Sequence, residues 1–247
     1  MVVDKPSQDV EIMQVVDQII DVDQQMKMPE DEDVQETLPP TISELTYTSF
    51  FKLKSMKLLQ LTTGQGWKHV QDIKDLYMAK IAFNPDGSRV YVVGGAKDSK
   101  SKVTSNNVSA FSVSEMGVTQ HNLAPMIESR ASFGCLYVPR SSPLIIVAGG
   151  YVHGKLSTKC EAYNVHANTW QMLPELNEAK ASSSLCLMND RYLYCFGGLS
   201  RNAQGQAFLS NSVEVIDITS PSARWEKLNV NLPITGCDIG CVPIRSD

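Results

Sequence analysis

The sequence predicts an all-β fold assembled from repeated four-stranded sheets, on three observations. An apolar run ending in two glycines recurs as YVVGG, LIIVAGG and YLYCFGG, which places glycine pairs at Gly94-Gly95, Gly149-Gly150 and Gly197-Gly198. The first glycines of these pairs are 55 and 48 residues apart, a period that marks solenoids and propellers. Tryptophan keeps the same beat at Trp67, Trp170 and Trp225, with Val118 standing where one more is due. Between these markers lie short alternating strands, KLLQL, VSAFSV, CEAYNV and SVEVIDI, bounded by turn-forming residues.

Taken in chain order, residues 1–45 contain no aromatic residue and are rich in Asp, Glu and Gln, and MPEDEDVQETLPP reads as an acidic, proline-bounded linker. This N-terminal segment is expected to be disordered, with a short amphipathic helix placing Ile12, Met13, Val16, Ile19 and Ile20 at helical spacing. Residues 46–247 carry the repeats. A partial unit with KLLQL and WKHV precedes three full units over 77–123, 131–173 and 182–230, and a lone first strand, Cys237 to Ile244, follows them. Each full unit runs through a small-residue strand, a turn, an apolar strand into Gly-Gly, a loop, an alternating strand and a final strand. A proline segment at Pro125, Pro174 or Pro233 then leads into the next unit.

Four short apolar strands per fifty residues cannot bury both faces of their sheet alone. Stacked radially, each twisted sheet becomes one blade of a β-propeller. Glycine suits the point where the chain leaves the crowded inner part of a blade, and tryptophan fills the space between blades. The pattern resembles the kelch repeat. The matching residues are the apolar run into Gly-Gly, an aromatic at Phe111 and Tyr163 (Ile216 in the third unit), and Trp170 after six intervening residues. Between Ile216 and Trp225 the spacing stretches to eight, and the basic residue after the proline segment is present as Arg130 and Lys180 but replaced by Gly236. The resemblance covers roughly Lys57 to the C-terminus and implies a kelch-type propeller, here incomplete. Closed kelch propellers have five to seven blades, so the ends leave two outcomes. The terminal strand joins residues 49–70 in a fourth blade, or the chain is an open arc whose edge invites self-association. The second is the expectation.

Composition narrows the function. A net charge of -5 and a sequence pI near 5.4 argue against nucleic acid, and no apolar run is long enough to cross a membrane. The six cysteines sit mostly in strand-like runs and read as reduced core thiols, and Cys237 with Cys241 lacks a second pair to complete a zinc site. His69, His121, His153 and His166 fall in different units, and neither a phosphate loop nor a nucleophile elbow is present, so no catalytic residue, metal or cofactor is expected. The alternative is a kelch-fold enzyme acting on a small molecule or carbohydrate, or a fragment without independent activity. Partner binding is expected on the loops after the glycine pairs, which by the resemblance share a rim with the proline segments. Lys97, Lys100, Lys102, Lys155, Lys159 and Arg201, with Arg130 and Lys180 nearby, form a cationic rim suited to an acidic protein or peptide, and Tyr151 and Phe208 are its apolar anchors. The expectation is a cytoplasmic, non-enzymatic scaffold or substrate-recognition module, with a cytoskeletal role among those the family fills. Scaffold is favoured because only some seventy residues precede the first full unit, too few for a BTB-like domain.

Overall fold

The computed structural model describes residues 44–49, 55–62, 66–74, 77–86, 88–97, 103–114 and 117–239, the first three stretches as backbone alone. The described residues contain no helix. Strands β1 (Glu44–Ser49), β2 (Ser55–Thr62) and β3 (Gly66–Lys74), the last carrying Trp67, form an antiparallel three-stranded sheet in that order. Three four-stranded antiparallel blades follow. The first holds β4 (Lys80–Phe83), β5 (Arg89–Val93), β6 (Val108–Ser114) and β7 (Gly117–Leu123). In the second, β8 (Gly134–Val138) and β9 (Leu144–Ala148) are separated from β12 (Cys160–Asn164) and β13 (Thr169–Leu173) by a small hairpin, β10 (Tyr151–Val152) and β11 (Lys155–Leu156). The third repeats this plan with β14 (Ser184–Met188), β15 (Tyr192–Phe196), hairpin β16 (Leu199–Arg201) and β17 (Ala207–Leu209), then β18 (Ser212–Asp217) and β19 (Glu226–Asn231).

The second strand of each blade is apolar on both faces, which is why these strands read as unbroken runs and not as alternations. In β15, Leu193 and Cys195 pack with Ile216 and Trp225 against Ile146, Ala148, Cys160 and Ala162 of the second blade. Tyr194 and Phe196, on the opposite face, join Val213, Val215 and Leu232. The same division in β9 turns Ile145 and Val147 towards Tyr91, Val93, Val108 and Ala110 of the first blade. Among the described residues the array is a partial propeller of three four-stranded blades beside a three-stranded sheet.

Two backbone devices join successive blades. Met78, Ser132, Ser182 and Asp238 occupy the left-handed region at φ of 57°, 55°, 52° and 52°. The amide of each donates to the carbonyl of its predecessor: Ser132 to Met78 at 2.9 Å, Ser182 to Ser132 at 2.6 Å and Asp238 to Ser182 at 2.8 Å. The glycine pairs supply the second device. The amides of Gly95, Gly150 and Gly198 donate to the carbonyls of Arg130, Lys180 and Gly236 at 2.9, 2.8 and 2.8 Å. Gly149 has a φ of 65°, and a Cβ there would stand 2.3 Å from the Lys180 carbonyl oxygen, so no side chain fits. The blades curve around an axial cavity of about 600 Å³, across which Lys80 forms an ion pair with Asp238.

Two sequence expectations change. The residue opposite Phe111 is Gln120, whereas Trp170 lies opposite Tyr163, so Val118 sits two positions from the tryptophan register. It still packs beside Phe111, because the longer β6–β7 hairpin brings it onto the same face. The terminal strand does not begin at Cys237. In earlier blades the inner strand starts two residues after the left-handed residue, and Cys237, Asp238 and Ile239 lie outside any strand. Residues 240–247, and with them the proposed fourth-blade pairing, lie outside the described residues, as do residues 1–43 with their expected helix.

Candidate functional site

The proline segments and the loops after the glycine pairs do meet on one rim. Met126 and Arg130 donate backbone hydrogen bonds to Asn106 and Ser105, Leu176 and Lys180 to Thr158 and Ser157, and Leu232 to Asn211. Beneath this rim the structure corrects one expectation. Arg130 and Lys180 are not partner-facing residues; both are fully buried. Arg130 donates to the carbonyls of Gly149 and Lys159 at 2.7 and 2.8 Å and forms an ion pair with Glu161, which is itself fully buried. Glu161 also accepts the amides of Ile127 and Glu128 at 2.7 and 3.1 Å. Lys180 pairs with buried Glu214 at 3.0 Å and donates to Ser212 Oγ at 2.8 Å, while Glu214 accepts the Asn177 amide and its Nδ2 at 2.6 and 3.0 Å. Each cation comes from the segment closing one blade and each acid from the third strand of the next. A buried charge is tolerated only when paired and hydrogen-bonded, so these latches hold adjacent blades in register.

The indoles make a second inter-blade contact. Trp170 Nε1 donates to Ala124 O at 2.9 Å and Trp225 Nε1 to Pro174 O at 3.1 Å. Trp225 is buried and Trp170 half-buried. The remaining rim residues divide by exposure. Lys97, Lys155 and Arg201 are exposed, Tyr151 and Lys159 are half-buried, and Phe208 keeps 42% of its surface accessible. Lys159 is engaged by Glu128, and Arg201 donates to Gly205 O at 2.6 Å within its own hairpin. Lys100 and Lys102 lie outside the described residues.

Residues 142–177, which span most of the second blade and the segment closing it, match the kelch motif. The chain therefore carries a kelch motif in its second blade and is similar to kelch-repeat proteins. It is 27% identical over 146 residues to a RING finger domain and kelch repeat-containing protein of Dictyostelium discoideum, covering 58% of this chain and 13% of that one. It is 26% identical over 137 residues to Kelch repeat and BTB domain-containing protein 2 of Ectromelia virus, covering 50% and 24%, and 28% identical over 142 residues to Kelch-like protein 40 of Xenopus tropicalis, covering 56% and 21%. The matched stretches thus span between about an eighth and a quarter of these relatives' lengths. Among solved structures, the structure of YjhT superposes with a TM-score of 0.50 at 17% identity, covering 69% of this chain and 52% of that one, and it bears on the fold alone.

Several titratable groups of these blades are held in structural contacts. The Lys159 hydrogen bond holds the Glu128 carboxyl below its ordinary range, and Arg191 does the same for Asp217. Burial pushes the Cys135 and Cys160 thiols up to about 12 and Cys195 to about 11, which suppresses the thiolate that nucleophilic or metal chemistry needs. Among the described residues no three His, Cys, Asp or Glu side chains gather as a metal site, and His121, His153 and His166 are separately exposed. Sequence reasoning missed Glu161 and Glu214. The available signal was an acid inside an otherwise apolar strand, in CEAYNV and again in SVEVIDI at the same place in the repeat.

Proposed function

We propose that this kelch array is a non-enzymatic interaction module that binds a protein or peptide partner through its loop rim, as a scaffold or as the recognition part of a larger assembly. The observation that carries this reading is the pair of small hairpins, β10–β11 and β16–β17, raised on the rim between paired strands of the second and third blades. They present Lys155, Arg201 and Phe208 to solvent, while the cations beneath them are consumed by the buried latches. Rigid blades with short exposed hairpins are the arrangement in which loops carry recognition. The kelch and BTB or RING combinations in the relatives' names support the same reading. An acidic partner segment fits the uncompensated charge of Lys97, Lys155 and Arg201, with Phe208 as its apolar contact. The buried, protonated thiols fit a reducing compartment such as the cytoplasm.

The test is an array of acidic and neutral nonapeptides probed with the full chain, followed by solution titration of the binders at several salt concentrations. Acidic peptides should bind, weaken with salt, and lose at least tenfold in affinity to a Lys155→Glu/Arg201→Glu variant. Binding indifferent to both salt and these substitutions would remove the rim from the function.

A further inference from the structure

The third blade departs from the other two at its outer strand. In the first two blades the last strand pairs regularly with the third, Val108 to Ser114 with Leu123 to Gly117 and Cys160 to Asn164 with Leu173 to Thr169. In the third, Val215 opposes Glu226 and Glu214 opposes Lys227, but Ser212 opposes Asn231, so Leu228, Asn229 and Val230 bulge out of the ladder. Bulges re-aim side chains and end pairing, and they are over-represented beside binding sites. This one opens a cleft of about 760 Å³ between β19, the β16–β17 hairpin and the segment that closes the second blade.

The lining of that cleft is polar and under-used. Asn211, Asn229 and Asn231 face it, and their side-chain amides make no hydrogen bond among the described residues. Arg201 and Phe208 stand on the hairpin side. Glu178 contributes the acid: its Oε2 accepts from Ser212 Oγ at 2.9 Å, with Lys227 Nζ at 3.6 Å, while its Oε1 is buried without a hydrogen-bond partner. Burial works to raise the Glu178 pKa, but Lys180, Ser200, Ser212 and Lys227 outweigh it and keep the carboxyl ionised at neutral pH. Glu178 is thus held in place by protein partners, and the open groups of the cleft are the asparagine amides.

We infer that this cleft binds the main chain of an extended polypeptide segment, with Asn229 and Asn231 clasping its peptide units. Each asparagine amide presents a donor and an acceptor together, the complement of a peptide unit. Asn229 stands in the bulge and Asn231 where the ladder resumes, so both reach the cleft from the edge strand of the blade. Phe208 offers the apolar contact at one side. The inference rests on the interaction-module reading but differs from it in chemistry: main-chain recognition tolerates sequence and resists salt, whereas the cationic rim selects acidic side chains.

The experiment pans a displayed library of random heptapeptides against the full chain and titrates the resynthesised binders by fluorescence polarisation. The proteins compared are wild type, Asn229→Ala/Asn231→Ala and Lys97→Ala/Lys155→Ala, each checked for an unchanged melting temperature. The asparagine variant should weaken binding at least tenfold and the lysine variant by less than twofold. N-methylation of single peptide bonds in the ligand should cost a comparable factor. Peptides that lose affinity to the lysine variant and not to the asparagine variant would overturn the cleft while leaving the rim reading intact. A library that yields no peptide binding in solution would overturn both. Saturable binding of glucose or galactose that Asn229→Ala/Asn231→Ala abolishes, with peptide binding untouched, would make the cleft a saccharide site and refute the inference.

Discussion

The joint between the first and second blades and the joint between the second and third do the same work with different cations. At the first, the guanidinium of Arg130 spans Gly149 O, Lys159 O and Glu161, so one planar fork satisfies two carbonyls and an acid. At the second, the Lys180 ammonium reaches Glu214, Ser212 Oγ and, at 3.9 Å, Glu178, and the Asn177 amide and Nδ2 complete the Glu214 hydrogen bonds. The position that is Lys159 in one repeat is Ser212 in the next. Arginine carries its geometry with it, whereas lysine needs neighbours shaped to receive it. The difference teaches that the latch is a set of residues that must change together, not one conserved charge.

Breaking the comparison gives the largest effect. Arg130→Ala leaves Glu161 buried without its cation and should cost about 3–5 kcal/mol, and Lys180→Ala should cost as much at the other joint, both read by guanidinium denaturation. Arg130→Lys sharpens the contrast. The shorter point charge cannot span both carbonyls, and a loss of about 1–3 kcal/mol is expected. A neutral result for Arg130→Lys would show the two latches to be interchangeable.

The tryptophans come next. Trp225, buried in the second joint, should lose about 3–5 kcal/mol on replacement by alanine, and half-buried Trp170 in the first should lose less, towards the lower end of that range or below it. Equal losses, measured by thermal and denaturant melts, would mean that the indole hydrogen bonds to Ala124 and Pro174 outweigh the difference in burial.

The smallest effect is in acid. Glu128 at the first joint is lowered chiefly by its hydrogen bond to Lys159, and Glu178 at the second is lowered although burial opposes it. Asp217 within the third blade is lowered chiefly by Arg191. A carboxyl whose folded pKa is depressed binds fewer protons when folded, so its stabilisation is present above its unfolded pKa and is lost as pH falls through the folded value. Stability should therefore be flat above about pH 5 and decline below about pH 4. In Lys159→Met the part of that decline owed to Glu128 should vanish, as denaturant midpoints across the pH range will show.

Much of the architecture was legible because its markers are local. A glycine pair announces a left-handed backbone wherever it stands, and the tryptophan beat needs only counting. Arg130 and Lys180 were misplaced because their partners lie one repeat further on, in Glu161 and Glu214. A lysine in a loop and a lysine in a latch look alike until the third strand of the following blade is laid beside them. The bulge in β19 left a trace too, in the longer stretch from Trp225 to Pro233 than from Trp170 to Pro174, but spacing alone does not say which side chains a bulge turns inward.

The inner collar, in which Ser132, Ser182 and Asp238 each bond back to their predecessor, has a consequence for growth by duplication. Every joint uses the same backbone atoms, so residues 132–181 form a cassette: a second copy inserted after Ala181 would find its collar partner and its glycine partner already in place. The side chains would follow the backbone with one loss. Lys180 of the first copy would meet Glu161 of the second, and Lys159 of the second would meet Glu178 of the first as it now meets Glu128, while the Ser212 Oγ contact of Lys180 would have no counterpart. The number of blades this sequence can be taught to carry is therefore set by its backbone joints more than by any one side chain.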